Sequence, residues 1–328
     1  MTQAAMQDRD EETPIEKLGN SLHDDMTDVN TIILNRMESH VPMIPQLAGY
    51  LIAAGGKRIR PLLTLACAHL CNDASDNPKK LAAAVEFIHT ATLLHDDVVD
   101  GSEQRRGKDT ANKVFGNQAS VLVGDFLFAR SFELMVETQN IQALNSLASA
   151  AAIITEGEVL QMSLIGETSI TQDQYFKVIE AKTAALFAAA CEVAPILKGI
   201  DAAAFTAYGY NLGMAFQIVD DIMDYTSPKM GKDKGDDFLE GKITLPVIIA
   251  MNDATPQDRE IMTQMILSPH SDALDEFISM LEYYDAFAKA AAIAQDYSEK
   301  ASMALSKYSG PIADCLVDLP RSILTRVV

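Results

Sequence analysis

Two acidic clusters of identical form, Asp96-Asp97-Val98-Val99-Asp100 and Asp220-Asp221-Ile222-Met223-Asp224, carry the most legible chemistry in this chain. Each reads D-D-x-x-D at the end of a long apolar segment, and the spacing puts its first and last Asp one helical turn apart on one face. Carboxylates packed so closely repel one another, and like charges at i,i+4 destabilise a helix. At a helix C-terminus the macrodipole adds to the strain. Two such clusters point to a site that needs cations between them. All-carboxylate oxygen sites suit hard ions, and Mg²⁺ takes one or two carboxylates plus waters and substrate phosphates. The implied ligand is phosphorylated.

A phosphorylated ligand also needs positive charge, and the basic residues fall at punctuated positions. Lys57, Arg58 and Arg60 adjoin the Gly55-Gly56 pair, where backbone can approach a ligand closely. Arg105 and Arg106 follow the first cluster across Gly101. Lys232 and Lys242 bracket a Gly-rich stretch, and Lys182 sits on a helix otherwise lined with Ala and Leu. Each alone reads as surface charge; their grouping against a net charge of −20 does not. His89 precedes Asp96 by about two helical turns and shares its face. Taken by itself it reads as a core histidine. Glu86 and His89 also form the Glu-x-x-His of di-iron bundles, but that site needs a second pair and two further Glu. Cys67, Cys71, Cys191 and Cys315 lie in apolar helical stretches and read as buried free thiols.

The elements that must hold these residues are helices. The chain has 328 residues, 48% hydrophobic, with few Gly and no Trp, enough for one large all-α domain over residues 13–328 behind a loose acidic tail, 1–12. Thr13-Pro14-Ile15-Glu16 is a capping box that opens a helix running towards residue 40. Helices follow over about 61–71, from Asn77-Pro78 to the first cluster, over about 110–138, over about 141–165, from Thr171 through Lys182-Thr183, and from Asp201 to the second cluster. Pro195 should kink or end its helix. Gly101–Gly107 and 227–242 read as loops, and no strand alternation appears. The acidic charge disfavours nucleic acid and anionic membranes as partners. No run of 18 apolar residues and no signal-like N-terminus occur, so a cytoplasmic protein is expected.

GGKRIRP, FIHTATLLHDDVVDGSEQRRG, the Lys182-Thr183 pair, FQIVDDIMD and GK…GD…GKITLP, in this order over about residues 55–246, resemble the trans-isoprenyl diphosphate synthases. The resemblance implies the isoprenoid synthase fold, a large helical bundle around a deep cavity, usually a homodimer. It implies three Mg²⁺, with Mn²⁺ as a substitute. Asp96 and Asp100 would hold two of them with Asp97 in support; Asp220, with Asp224 through water and Asp221 beside them, would hold the third. Arg105, Lys182, Lys232 and Lys242 would bind an allylic diphosphate. Lys57, Arg58, Arg60, His89 and Arg106 would bind isopentenyl diphosphate. Thr183 and Gln217 match positions beside the reacting carbons. One departure is Asp233-Lys234, where the family often has Pro and an apolar residue.

The implied reaction ionises the allylic C–O bond, lets the isopentenyl double bond attack the cation, and loses a proton, with no protein nucleophile. Chain length should be read below the first cluster. Ile88, Ala91 and Thr92 lie there, where short-chain members place an aromatic floor. Small residues favour a long, C40–C50 product of the kind that supplies quinone side chains and is handed to a membrane. Phe128 or Phe132 could instead build a floor and leave a C15–C20 product. A class I terpene cyclase, which needs no second diphosphate site, and a non-catalytic partner subunit, which would have degraded motifs, are the competing readings.

Overall fold

In a computed structural model of the chain, residues 12–54, 56, 58–105, 107–226, 235–325 and 327 are described. Residues 1–11 of the expected tail, Lys57, Arg106, Lys232 and the Asp233-Lys234 departure lie outside them.

Thr13 Oγ1 accepts from the Glu16 N–H while the Glu16 carboxylate accepts from the Thr13 N–H at 2.9 Å, so the expected capping box opens α1 (Pro14–Ser21). The helix expected towards residue 40 is two, because the chain turns at Leu22 before α2 (His23–Arg36). Then come α3 (Met43–Ala54), α4 (Ile59–Leu70) and α5 (Asn77–Val99), the last ending in the first Asp cluster. Where a plain loop was expected, a two-residue antiparallel ladder pairs β1 (Gln104–Arg105) with β2 (Lys108–Asp109). The single helix expected over 110–138 is broken into α6 (Ala111–Phe115) and α7 (Asn117–Glu137) by Gly116, whose φ of 89° is open mainly to glycine.

Asn140 caps α8 (Ile141–Leu164), and a second capping box, Thr171 with Gln174, opens α9 (Gln172–Ile179). A π-helical turn, Glu180–Ala184, then leads directly into α10 (Ala185–Lys198). Pro195 sits inside α10 without ending it; the helix stops at Gly199, in the left-handed region. α11 (Ala203–Thr226) carries the second cluster in its last turns. The remainder is α12 (Asp236–Leu239), α13 (Leu245–Asp253), α14 (Pro256–Leu267), α15 (Leu274–Tyr283), α16 (Ala286–Ala304) and α17 (Pro311–Leu324).

Among the described residues the fold is all-α apart from the short ladder, as expected. Helix α5 packs on α4, α7 and α10, and α11 on α10 and α16. Burial of Leu63, Phe87, Phe187, Phe205 and Tyr208 drives this association. Buried hydrogen bonds fix it: Thr64 Oγ1 donates to Ala190 O at 2.8 Å, pinning α4 to α10. Cys67, Cys71 and Cys191 are buried free thiols and Cys315 is half-buried. No described helix is long and apolar enough to cross a membrane.

Candidate active site

Both Asp clusters end on one cavity of about 890 Å³. Helices α2, α5, α7, α8, α10 and α11 contribute to its wall, together with the segment leading to α4 and the Asp237–Thr244 return. The first cluster closes α5 and the second lies in the last turns of α11, so both helix ends border this cavity.

In the first cluster, the helical turn separates the roles of the three carboxylates. Asp96 is largely buried; its Oδ2 is 4.0 Å from Lys182 Nζ, which is held at 2.9 Å by Glu158 on α8. Burial pushes Asp96 up to about 7, against the pull of Lys182, with Glu158 and Asp100 adding like charge. Asp97 points into the protein, where Arg105 Nε and Nη2 hold its Oδ1 at 2.9 and 2.8 Å. Asn112 Nδ2 donates to the Asp97 carbonyl at 3.0 Å, tying the following loop to the helix end. Asp100 caps α5 and is 3.2 Å from Lys242 Nζ, which also meets Glu240 at 2.6 Å. Although burial opposes it, those carboxylates hold Lys242 well above its ordinary range, as a permanent cation.

The second cluster has the same spacing and a different fate. Asp220 is exposed on the cavity wall. Asp221 is buried, its Oδ2 accepting from Tyr175 at 2.6 Å and its Oδ1 from Gln217 Nε2 at 2.7 Å. Asp224 lies outside the cavity wall; its Oδ2 accepts from the Asp237 N–H at 3.0 Å and its carbonyl from Gly235 at 3.0 Å. Asp224 thus anchors the return of the chain, and Asp221 orients its neighbours.

The wall between the clusters is built by the π turn. Lys182 and Thr183, both on this turn, line the cavity, and π-bulges are frequent at functional sites. The turn fits because Gly157 and Gly213 let two helices press against it: a Cβ on Gly157 would stand 2.6 Å from Ala181 Cβ, and one on Gly213 2.7 Å from Ala184 Cα. Thr183 Oγ1 donates to Gln217 Oε1 at 2.8 Å.

A second polar group in the wall is cationic. Arg60 lies over the Phe187 ring, 4.4 Å from its centroid, with Nη1 3.2 Å from His89 Nε2. Arg58, left-handed at φ 44°, hydrogen-bonds Asn30 and lines the same cavity. A planar guanidinium held by stacking beside an imidazole presents pre-oriented donors of the kind that suit an anion.

Of the positions tied to chain length, Thr92 lines the cavity, whereas Ile88 and Ala91 are fully buried and outside its wall. Phe128 stacks on His95 and Phe132 is exposed on α7; neither closes the cavity. Its apolar surface comes instead from Ile33, Met37, Phe87 and Leu127, and from Leu164, Ile170 and Val178. Sequence reasoning missed Glu158 and Tyr175. Nothing in their local spacing marks them, since each is recruited by a partner on another helix.

The carboxylates fit hard cations: the set is oxygen only, and Asp96 is held in an unfavourable state that a cation would relieve. Among the described residues no three ligands already converge into a cage, which suits an ion that keeps waters and substrate phosphates. A testable consequence concerns stability without metal. An acid raised from 3.8 to about 7 keeps its proton in the folded state and loses it in the unfolded one between those values. Its contribution therefore falls as pH rises from about 4 to about 7, by up to about 4 kcal/mol. Asp96→Asn should raise the metal-free Tm at pH 8 and change it little near pH 4. Equal shifts at both pH values would contradict the burial argument.

A family model described as polyprenyl synthetase matches residues 41–283. The octaprenyl diphosphate synthase of Escherichia coli (strain K12) is 44% identical over 257 residues, covering 77% of this chain and 80% of that protein. A decaprenyl diphosphate synthase structure from Rhodobacter capsulatus matches with TM-score 0.92 and 44% identity, covering 96% of this chain and 100% of that one. A polyprenyl synthase from Caulobacter crescentus CB15, solved with calcium and isoprenyl diphosphate, matches with TM-score 0.92 and 45% identity, covering 96% and 98%.

Proposed function

The chain belongs to the polyprenyl synthetase family, and from that premise we propose an all-trans polyprenyl diphosphate synthase that adds isopentenyl diphosphate to farnesyl or geranylgeranyl diphosphate and makes a C40–C50 chain. The observation that carries this reading is a single cavity with two unlike polar groups in its wall. One combines the carboxylates with Lys182 and Lys242; the other is the Arg58–Arg60–His89 group.

Lys182, Lys242 and Arg105 bind the allylic diphosphate, and Arg58, Arg60 and His89 the isopentenyl diphosphate. Three Mg²⁺, or Mn²⁺ in their place, would be held by Asp96, Asp100 and Asp220 and would neutralise charge on the departing pyrophosphate. The allylic C–O bond breaks, a C–C bond forms to the isopentenyl double bond, and the proton lost passes to the released pyrophosphate. Thr183 and Gln217 present oxygen to the reacting carbons. The apolar wall takes the tail and keeps water from the cation.

Pyrophosphate release tests the reaction class. Release from the allylic substrate that depends on isopentenyl diphosphate and Mg²⁺ supports condensation; equal release without isopentenyl diphosphate would indicate a cyclase. For product length, Thr92→Phe should shorten the main product by at least one isoprene unit on mass analysis, because the ring enters open cavity. An unchanged product would remove Thr92 from the path. Ala91→Phe is the weaker test, since overpacking a fully buried site costs about 1–3 kcal/mol.

The chain is also proposed to act as a homodimer, with its apolar product passed to a membrane. Leu122, Phe132 and Val136 on α7, with Ile153, Val159 and Met162 on α8, are exposed apolar side chains on consecutive helices. Sedimentation should give a dimer, and Leu122→Glu with Val159→Glu should give a folded monomer. A wild-type monomer at micromolar concentration would contradict the pairing.

A further inference from the structure

Gln217 lines the cavity with an amide that could face either way, and its orientation decides what the wall presents. Its Nε2 donates to Asp221 Oδ1 at 2.7 Å and its Oε1 accepts from Thr183 at 2.8 Å. Asp221 accepts through both carboxylate oxygens, from Tyr175 and from Gln217, so it fixes which end of the amide it meets. The Thr183 hydroxyl, having given its proton to Gln217, is left with lone pairs for the cavity. Reversing the amide would aim N–H at Thr183, and the hydroxyl would then turn its proton outward. The first arrangement suits a carbocation; the second opposes it.

What holds Asp221 in register is Tyr175, at the start of α9. Its hydroxyl donates to Asp221 Oδ2 at 2.6 Å from a buried position. The Thr171–Gln174 capping box sets the helix end that carries it. All the donors in the series Thr183, Gln217 and Tyr175 point along one consistent path that ends on a single carboxylate.

We propose that Tyr175 is a positioning residue for the condensation: through Asp221 it fixes the Gln217 amide and the Thr183 hydroxyl with their oxygens towards the reacting allylic carbon. This rests on the prenyl-transfer reading above. It assigns Asp221 to orientation rather than to cation binding.

The test is a double-mutant cycle in the isopentenyl-incorporation assay. Tyr175→Phe should lower kcat about 10- to 100-fold with both KM values within about 3-fold, since the residue does not hold either diphosphate. In a Gln217→Leu background the same substitution should change kcat less than about 2-fold, because its effect passes through that amide. An equal loss in both backgrounds, or no loss in the wild-type background, would overturn the assignment. If Tyr175→Phe does not fold, Asp221→Asn replaces it: its new N–H must face Gln217 or Tyr175, and the same non-additivity with Gln217→Leu is expected. An additive result there would equally overturn the proposal. Failure of the wild-type protein to incorporate isopentenyl diphosphate would refute the functional reading itself, and is distinguished by the parent control.

Discussion

Asp220→Ala is expected to lower kcat by about 10³-fold or more while leaving the fold intact. Loss of one well-placed hydrogen-bond donor from a charge-stabilising site costs about 10²- to 10³-fold, and loss of a ligand to a cation should cost at least that. The structural side of the change is small because Asp220 is exposed and belongs to an acidic triplet, where removing one charge relieves repulsion. Substitutions of exposed residues usually stay within about 0.5 kcal/mol. Steady-state kinetics at saturating Mg²⁺, with Tm measured alongside, check both halves. Activity within 10-fold of the parent would remove the second cluster from cation binding and leave it a helix end only.

Arg60→Ala should instead act on one substrate. Arg60 is stacked on Phe187 and adjoins His89, on the opposite chemistry from the Asp clusters. Losing one or two charge-assisted hydrogen bonds, at about 1.5–3 kcal/mol each, should raise KM for isopentenyl diphosphate about 10- to 100-fold. The allylic KM should move less than about 3-fold. Arg60→Lys should rescue only part of this, because an ammonium cannot reproduce a stacked, planar donor. Equal increases in both KM values would contradict two separate diphosphate sites.

Much of this arrangement was legible in the sequence because it depends on local rules. The capping box at Thr13 is a pair of short-range hydrogen bonds and appears as read, and Thr171 opens its helix where expected. The Asp clusters end α5 and emerge near the end of α11, as the helix-spacing argument required. Identical motifs nevertheless part company. Asp100 caps its helix and meets Lys242, while α11 runs on to Thr226 and buries Asp224 against Asp237. That difference is set by the neighbouring chain, not by the D-D-x-x-D pattern. The π turn was equally invisible: Glu180–Ala184 has ordinary helical composition, and its extra residue is accommodated by Gly157 and Gly213 from helices remote in sequence. Pro195 falls in the last turn of α10, near the helix end as read, and the helix runs three residues past it to Lys198.

The most direct test of the central claim is the product of the unmodified protein. Purified chain, farnesyl diphosphate, labelled isopentenyl diphosphate and Mg²⁺ are incubated and the prenyl products analysed by mass. The account predicts Mg²⁺-dependent incorporation ending in a C40–C50 all-trans chain. A product that stops at C15–C20 would contradict the long-chain assignment, and absence of incorporation would contradict the condensation itself.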